Sequence, residues 1–471
     1  MSRLGKAVDP AQITTTFRSF FAILAALFLL LLGAAKSARH PKNTRWPLVM
    51  IIGFAALFRL ALLPQTPWLS NDIYRYLWDA QLVDHGVNPY ALPPAAEELS
   101  RFRDATIYPP MDHKNVHSVY PPLLQLLFWA GRKANQAFDL QFFVGLKFVF
   151  VLIDVGLVFA LFRLLAQLKL DPRWAILYAW HPLPIIEIAG SGHTDGAGAL
   201  ALILTIIFLL HRKYFFATIF LALGFSVKFI PALFLPFLFL IVWKELRLKK
   251  AGQIAAVFAI LIVASYAPFM AAGEKLWSGL LVYSDKWRFN DGFFALVFGG
   301  IHRLLPDGLV KFLMIPSGWE INDVVMTTRR IDLALAISKT ICGGIFALIY
   351  LRLLWRMFKS KSANALDGIS VLISILTAFF LLSPTLQPWY WLWLLPLLCL
   401  SKICFFCTAL TLKRLMPPLW IFSATVFLSY FVLENYFQSG VWRQPGWVKW
   451  VEYGIPVAFW LWMSGRLKGE V

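Results

Sequence analysis

The chain predicts an all-α polytopic membrane protein, a bundle of about 13 transmembrane helices with a long first non-cytoplasmic loop. Three observations carry this. Of its 471 residues, 59% are hydrophobic and only 15% charged, with a mean hydropathy of +0.67; soluble domains carry roughly half apolar and a quarter charged residues. Apolar stretches of about 20 residues recur, the length that crosses a ~30 Å hydrocarbon core. The formal charge of +19 is concentrated in short loops between these stretches, as orientation by the positive-inside rule requires. That distribution speaks for membrane anchoring and against nucleic acid as the partner.

Candidate spans run 17–35, 47–64, 142–165, 174–191, 196–210, 214–228, 229–243, 251–270, 331–354, 368–383, 388–407, 415–433 and 450–465. The first is too long for a signal peptide and lacks a small-residue cleavage site. Residues 174–191 and 214–243 are interrupted by Pro182, Pro184, Pro231 and Pro236. Such breaks persist in a membrane only when buried in protein or lining a wet cavity. The thirteen spans place the basic loops 36–45, 163–173, 211–213, 244–250, 352–361, 412–414 and 466–468 all on one side, the cytoplasmic one. The N-terminus is then outside and the C-terminus inside. Outside also lie 65–135, the turn 190–196, and 271–330, 383–391 and 434–450; residues 119–135 are too short to span and are expected at the interface. Residues 1–46 read as an extra leading helix with its basic loop, and 47–471 as one integral domain. Cys404 and Cys407 have redox-motif spacing but only apolar helical surroundings, which favours packing.

The chemistry is expected on the outer face. In "SNDIYRYLWDAQLVDHGVNPY" (70–90), a helix over 71–84 sets Asp72, Tyr76, Asp79 and Val83 on one side, and Asn71, Arg75, Trp78 and Leu82 on another. Asp72 and Asp79 are about 10 Å apart along the axis, too far to act as a close pair. Asp79 sits four residues from Arg75, the spacing of an intrahelical ion pair. Asp72 lies in the first turn, where a carboxylate also serves the helix dipole, so the residues alone leave it as cap or catalyst, with Asn71 as a capping neighbour. "HPLPIIEIAGSGHTDG" gathers Glu187, His193 and Asp195 around a Gly-Ser-Gly turn; His193 and Asp195 are too few to make a zinc site. Arg59, Lys228, Arg329 and Arg330 stand near the outer membrane edge, against the positive-inside trend. Each could snorkel, and together they suit a phosphate group. Lys147 and Asp154 read as structural partners for other helices.

Taken in order, "SNDIYRYLWDAQLVDHGVNPY", "VYPPLLQLLF", "HPLPIIEIAGSGHTDG", "VKFIPALFLP", "SDKWRFNDGFF" and "QPWYWLWLLPLL" resemble glycosyltransferases of the GT-C superfamily that use polyprenol-phosphate sugars. The likeness is to the bacterial branch with α-mannosyltransferases of lipoglycan synthesis, and it runs from about residue 47 to 465. It implies a GT-C-like bundle in which an acidic residue of the first outward loop is the catalytic base and transfer inverts the anomeric centre. Asp72 matches that residue. The partner acid is replaced by Asn71, which disfavours a metal role; no cofactor is expected, and a divalent cation stays open. The candidate substrate-binding set is Asn71, Arg75, Tyr76, Asp79, Tyr120, His193, Asp195, Lys228, Arg59, Arg329, Arg330, Gln387 and Trp389. Of these, Arg59, Lys228, His193 and Arg329/Arg330 are the phosphate candidates.

The expected partners are a polyprenyl-phosphate-linked sugar donor, a lipid or glycan acceptor and membrane lipids. The expected place is a bacterial inner membrane, with the site on its non-cytoplasmic side. Mannose follows from the resemblance; arabinose, glucose and an amino sugar stay open. The competing readings are a lipid-linked-sugar flippase and a non-catalytic partner in an envelope-assembly complex.

Overall fold

The computed structural model describes residues 10–37, 45–315, 319, 321–360, 365–400 and 410–466. Among these the chain is helical, with one isolated bridge, Phe289 to Thr385, outside the helices. The Cys404–Cys407 spacing and most of the basic loop 36–45 lie outside the described residues.

Helix α1 (Pro10–Ser37) packs against the C-terminal part of the bundle through Phe17, Phe20, Phe21 and Phe28. α2 (Arg45–Leu62) leads into a long loop, where α3 (Asp72–Asp84) packs on α4 (Pro122–Phe138) and α4 on α5 (Val144–Gln167). Pro122 in the first turn of α4 suits a position whose N–H has no helical partner. Gly131 of α4 lies directly on Leu146 of α5; a Cβ there would meet the Leu146 Cα at 2.6 Å. The expected break over 174–191 is present: short turns follow one another from Pro172 to Gly190 before α6 (Asp195–Leu210) begins. α7 (Tyr214–Phe225) and α8 (Leu235–Leu246) are separated by the Pro231 turn, and α9 (Leu248–Tyr266) leads to α10 (Lys275–Lys286), α11 (Gly292–Leu304) and α12 (Asp307–Met314). α13 (Asp323–Lys359), α14 (Ala365–Leu382), α15 (Leu410–Thr425), α16 (Phe431–Ser439) and α17 (Gly446–Arg466) complete the chain.

Six helical stretches among the described residues are long and apolar enough to cross a bilayer: Pro10–Ser37, Val144–Gln167, Leu248–Ala272, Asp323–Lys359, Ala365–Leu382 and Met416–Ser439. A seventh results if α11 and α12, bent by 100°, count as one broken span. Helix length thus supports six of the thirteen expected crossings; the seventh, over α11 and α12, lies within 271–330, a segment expected outside the membrane. Others fall on shorter apolar helices such as Asp195–Leu210 and Tyr214–Phe225, or on stretches that proline divides. Leu29, Ile260 and Leu348 are each at least 65% exposed, an outward apolar surface that hydrocarbon rather than water accommodates. With its family below, this makes the chain a multi-pass membrane protein.

Charged groups inside the bundle are partnered. Arg59 is fully buried, donating to Asp154 at 2.5 Å and to the Ala55 and Ala179 carbonyls; Tyr178 donates to the other Asp154 oxygen at 2.5 Å. Lys147 donates to the Leu62 and Gln65 carbonyls at 2.7 and 2.8 Å, tying the end of α2 to α5. Lys147 and Asp154 therefore hold neighbouring elements, as expected. Arg59 differs from expectation: with no exposed side chain, it is a structural cation and has no surface to offer a phosphate.

Candidate active site

α3 begins where Ser70 Oγ accepts the Asp72 N–H at 3.2 Å. Asn71, expected to cap, makes no side-chain cap bond; its amide reaches across to Asp112 Oδ2 at 3.1 Å. Arg75 and Asp79 pair at 3.0 Å. They also clamp the loop onto α3: Asp79 accepts from Ser118 Oγ (2.5 Å) and Gln125 Nε2 (3.2 Å), and Arg75 donates to the Val116 carbonyl. Both residues are buried, so they build the wall of the loop and do not line its mouth. Asp84 is likewise engaged, with Arg132 and Lys133 of α4. Tyr76 stacks on Phe128 and meets Tyr120 edge-on, ring centroids 4.6 and 5.0 Å apart, which aims its hydroxyl at Asp72 Oδ2, 3.5 Å away.

Asp72 is the acid of this helix that keeps access, with its side chain 42% exposed. Although part of the side chain reaches the surface, protein surrounds the carboxyl. Burial is the largest influence and pushes its pKa up to about 6; Lys228 opposes this, while Asp112 and Asp195 add to it.

A second element reaches Asp72 because of a glycine. The broken span ends in a wide turn over Ile185–Gly190, and Gly192 follows at φ +82°. A Cβ at Gly192 would stand 2.8 Å from Ile73 Cδ1, so the left-handed glycine lets the turn lie directly on α3. His193 thereby arrives with Nδ1 3.9 Å from Asp72 Oδ2 and Nε2 3.5 Å from Glu187 Oε2. Its ring lies flat on Trp389, centroids 3.6 Å apart at 15°. Burial, then Lys228, hold the imidazole pKa well below its ordinary value, so His193 is neutral. Being wholly buried, it does not face a ligand phosphate as expected.

The next helix supplies the cation site. Asp195, at the start of α6, accepts from Lys228 Nζ at 2.6 Å and from the Trp393 indole at 2.7 Å. The indole passes over Gly198, where any Cβ would collide with its ring. Lys228 lies 4.3 Å above the centre of the Tyr390 ring and keeps a side chain 22% exposed. It is thus a fixed cation beside Asp72 with part of its surface open. Tyr390 shares a hydroxyl–hydroxyl bond with Tyr283 of α10, which draws the 275–286 helix over the same group. Gln387 contributes its carbonyl to the turn that sets Tyr390.

Arg329 and Arg330 are elsewhere. They engage Asp332, Trp319, Asp307 and the Leu305 carbonyl, around α12 and the start of α13, and make no described contact with the residues around Asp72. Their expected phosphate role has no support in this placement. Sequence reasoning missed Asp112, Tyr283, Tyr390, Trp393 and Tyr430. Tyr390 and Trp393 sit inside the quoted "QPWYWLWLLPLL"; Asp112, Tyr283 and Tyr430 lie outside the quoted motifs. Among the described residues no group of three or more His, Cys, Asp or Glu forms a metal-binding cluster.

A family model described as alpha-(1->6)-mannopyranosyltransferase, N-terminal domain, matches residues 5–244, half of the chain and every residue from Asp72 to Lys228 just described. The chain belongs to this family. A second model, the MptB C-terminal domain, matches residues 320–431. Alpha-(1->6)-mannopyranosyltransferase A of Corynebacterium glutamicum is 22% identical over 420 residues, covering 85% of this chain and 76% of the relative. The protein is therefore a membrane glycosyltransferase of the mannosyltransferase type. The match begins at residue 5 and so includes α1, whereas the motifs quoted above begin at residue 70.

Proposed function

We propose that this mannosyltransferase moves a mannosyl residue from a polyprenyl-phosphate donor to a lipid or glycan acceptor of the cell envelope. Transfer takes place on the non-cytoplasmic face, with inversion, and by the names of the family and the relative the bond formed is α-(1→6). The observation that carries the reading is the pairing of Asp72, an accessible carboxylate with a raised pKa, and Lys228, a partly exposed cation that acts on it.

The chemistry needs both. A sugar hydroxyl is a poor nucleophile at neutral pH, so Asp72 accepts its proton as the oxygen bonds to the anomeric carbon. The bond from that carbon to the phosphate oxygen breaks on the opposite face, and its electron pair leaves with the lipid phosphate. Lys228 stabilises the charge that develops there, and its contact with Asp195 holds it ready. The donor's polyprenyl tail stays in the bilayer while its headgroup enters beside α3. A resident metal is not required in this scheme, since a lysine supplies the cation.

The test is purified protein in detergent with polyprenyl-phosphate mannose and an envelope-lipid acceptor, and product detected by mass spectrometry. Asp72→Asn is expected to insert normally and to lose transfer by about 10²–10⁴-fold. Wild-type turnover by Asp72→Asn would remove Asp72 as the base. Movement of the lipid-linked sugar without a new glycosidic bond would point to a flippase instead.

A further inference from the structure

His193 is fully buried, and neither ring nitrogen has a hydrogen bond within ordinary limits. The acidic groups that approach those nitrogens are Asp72, with Oδ2 at 3.9 Å from Nδ1, and Glu187, with Oε2 at 3.5 Å from Nε2. Glu187 is itself buried, and its other oxygen accepts from the Tyr430 hydroxyl at 2.8 Å. A chain of four groups, Tyr430, Glu187, His193 and Asp72, therefore runs from the bundle interior to the candidate base. The flat contact with Trp389 sets the ring plane. On the base, the Tyr76 hydroxyl and the His193 ring both approach Oδ2, and no described contact is made to Oδ1.

We propose that His193 is the positioning residue of the base: backed by Glu187, it presents Nδ1–H to Asp72 Oδ2 and thereby leaves Oδ1 turned toward the acceptor hydroxyl. The proposal rests on Asp72 being the base. In this arrangement Glu187 is the neutral acid and donates its Oε2–H to Nε2, which leaves the ring proton on Nδ1, the nitrogen that faces Asp72. The 3.9 Å separation is longer than a formed hydrogen bond; such contacts shorten when substrate closes the site. A hydrogen bond to the ionised carboxylate favours that form, so His193 also keeps Asp72 able to accept a proton. This role differs from phosphate binding, for which His193 has no exposed surface.

The charged and titratable groups facing Asp72 come from every side. They are Tyr76 on its own helix, Asp112 and Tyr120 in the loop, Asp195 and Lys228 from α6 and the α7–α8 turn, and Tyr283, Tyr390, Glu187 and Tyr430 beyond them. Changing His193 leaves these in place, so a moved pH profile reports on the His193 contact.

The experiment compares His193→Phe, which preserves the stack on Trp389 and removes both nitrogens, with His193→Asn, whose amide can replace Nδ1–H. Steady-state transfer is measured against pH and donor concentration, with Asp72→Asn alongside. The expected result for His193→Phe is a loss in kcat of roughly 10²-fold from misplacement of the base, an unchanged donor KM, and an acidic limb moved to higher pH. His193→Asn is expected to recover part of the rate and return the limb toward wild type. Glu187→Leu should mimic His193→Phe, and Glu187→Gln should retain more activity. A His193→Phe enzyme with the wild-type limb and a raised donor KM would overturn the proposal and make His193 a substrate contact. If Asp72→Asn is inactive while His193→Phe behaves as wild type, only the positioning role fails. If Asp72→Asn is active, the base assignment fails first. Should His193→Phe not fold, the Glu187→Leu and Glu187→Gln pair carries the same comparison.

Discussion

Lowering the pH perturbs the candidate base without changing a residue. The active form of Asp72 is the carboxylate, so transfer must fall as pH drops through its pKa. Burial moves that value from 3.8 to about 6. With a pKa near 6, about 91% of Asp72 is ionised at pH 7 and about 9% at pH 5, about a tenfold fall in kcat/KM. An ordinary aspartate would still be about 94% ionised at pH 5 and would lose almost nothing. Because the side chain is 42% exposed, water screens part of the effect, and the break belongs at or slightly below 6. The assay is initial-rate transfer by detergent-solubilised enzyme between pH 4.5 and 8, with stability checked at each pH. Lys228→Met in the same assay should slow transfer and move the break to higher pH, since Lys228 is the chief influence holding the value down. A rate that stays flat to pH 5 and breaks near 4 would refute the reasoning.

The same shift carries a stability sign. A carboxyl whose folded pKa lies above its unfolded value opposes folding once ionised, above about pH 6. Asp72→Asn should therefore melt at a higher temperature than wild type at pH 7.5 while losing transfer, and a lower melting temperature would contradict this. Arg59→Met should cost about 3–5 kcal/mol by leaving Asp154 buried without its cation, with part recovered in the double variant Arg59→Met/Asp154→Leu; thermal unfolding in detergent measures both. Gly198→Val should displace the Trp393 indole from Asp195 and depress transfer more than expression, read as activity per folded protein. Arg329→Ala and Arg330→Ala should leave the donor KM within about twofold, since surface ion pairs contribute little; a tenfold rise would return them to the phosphate site.

How much of this was legible depended on the range of the interaction involved. Apolar runs and prolines act over one helix or one turn, so the membrane class and the breaks at 174–191 and 214–243 could be read in order along the chain. The Arg75–Asp79 pair was legible for the same reason: four residues on a helix are neighbours. The count of spans was less so, because hydropathy alone does not separate a long crossing helix from an apolar segment divided by proline. Among the cations, the sequence offered Arg59, Lys228, Arg329 and Arg330 on equal terms. They differ only in what the fold puts beside them: Asp154 beside Arg59, Asp307 beside Arg330, and Asp195 beside a partly exposed Lys228 that lies over the Tyr390 ring.

By itself the sequence determined a helical membrane protein with an acid-bearing helix after its second apolar stretch. Composition and short-range periodicity are enough for that, because the cost of placing polar backbone and charge in hydrocarbon is local. Tertiary structure decided which groups meet that acid. His193 comes to Asp72 because Gly192 permits a left-handed turn against Ile73. Tyr430 reaches Glu187 across 243 residues, and Trp393 reaches Asp195 across 198. No spacing rule connects such positions; the chain path through the bundle does.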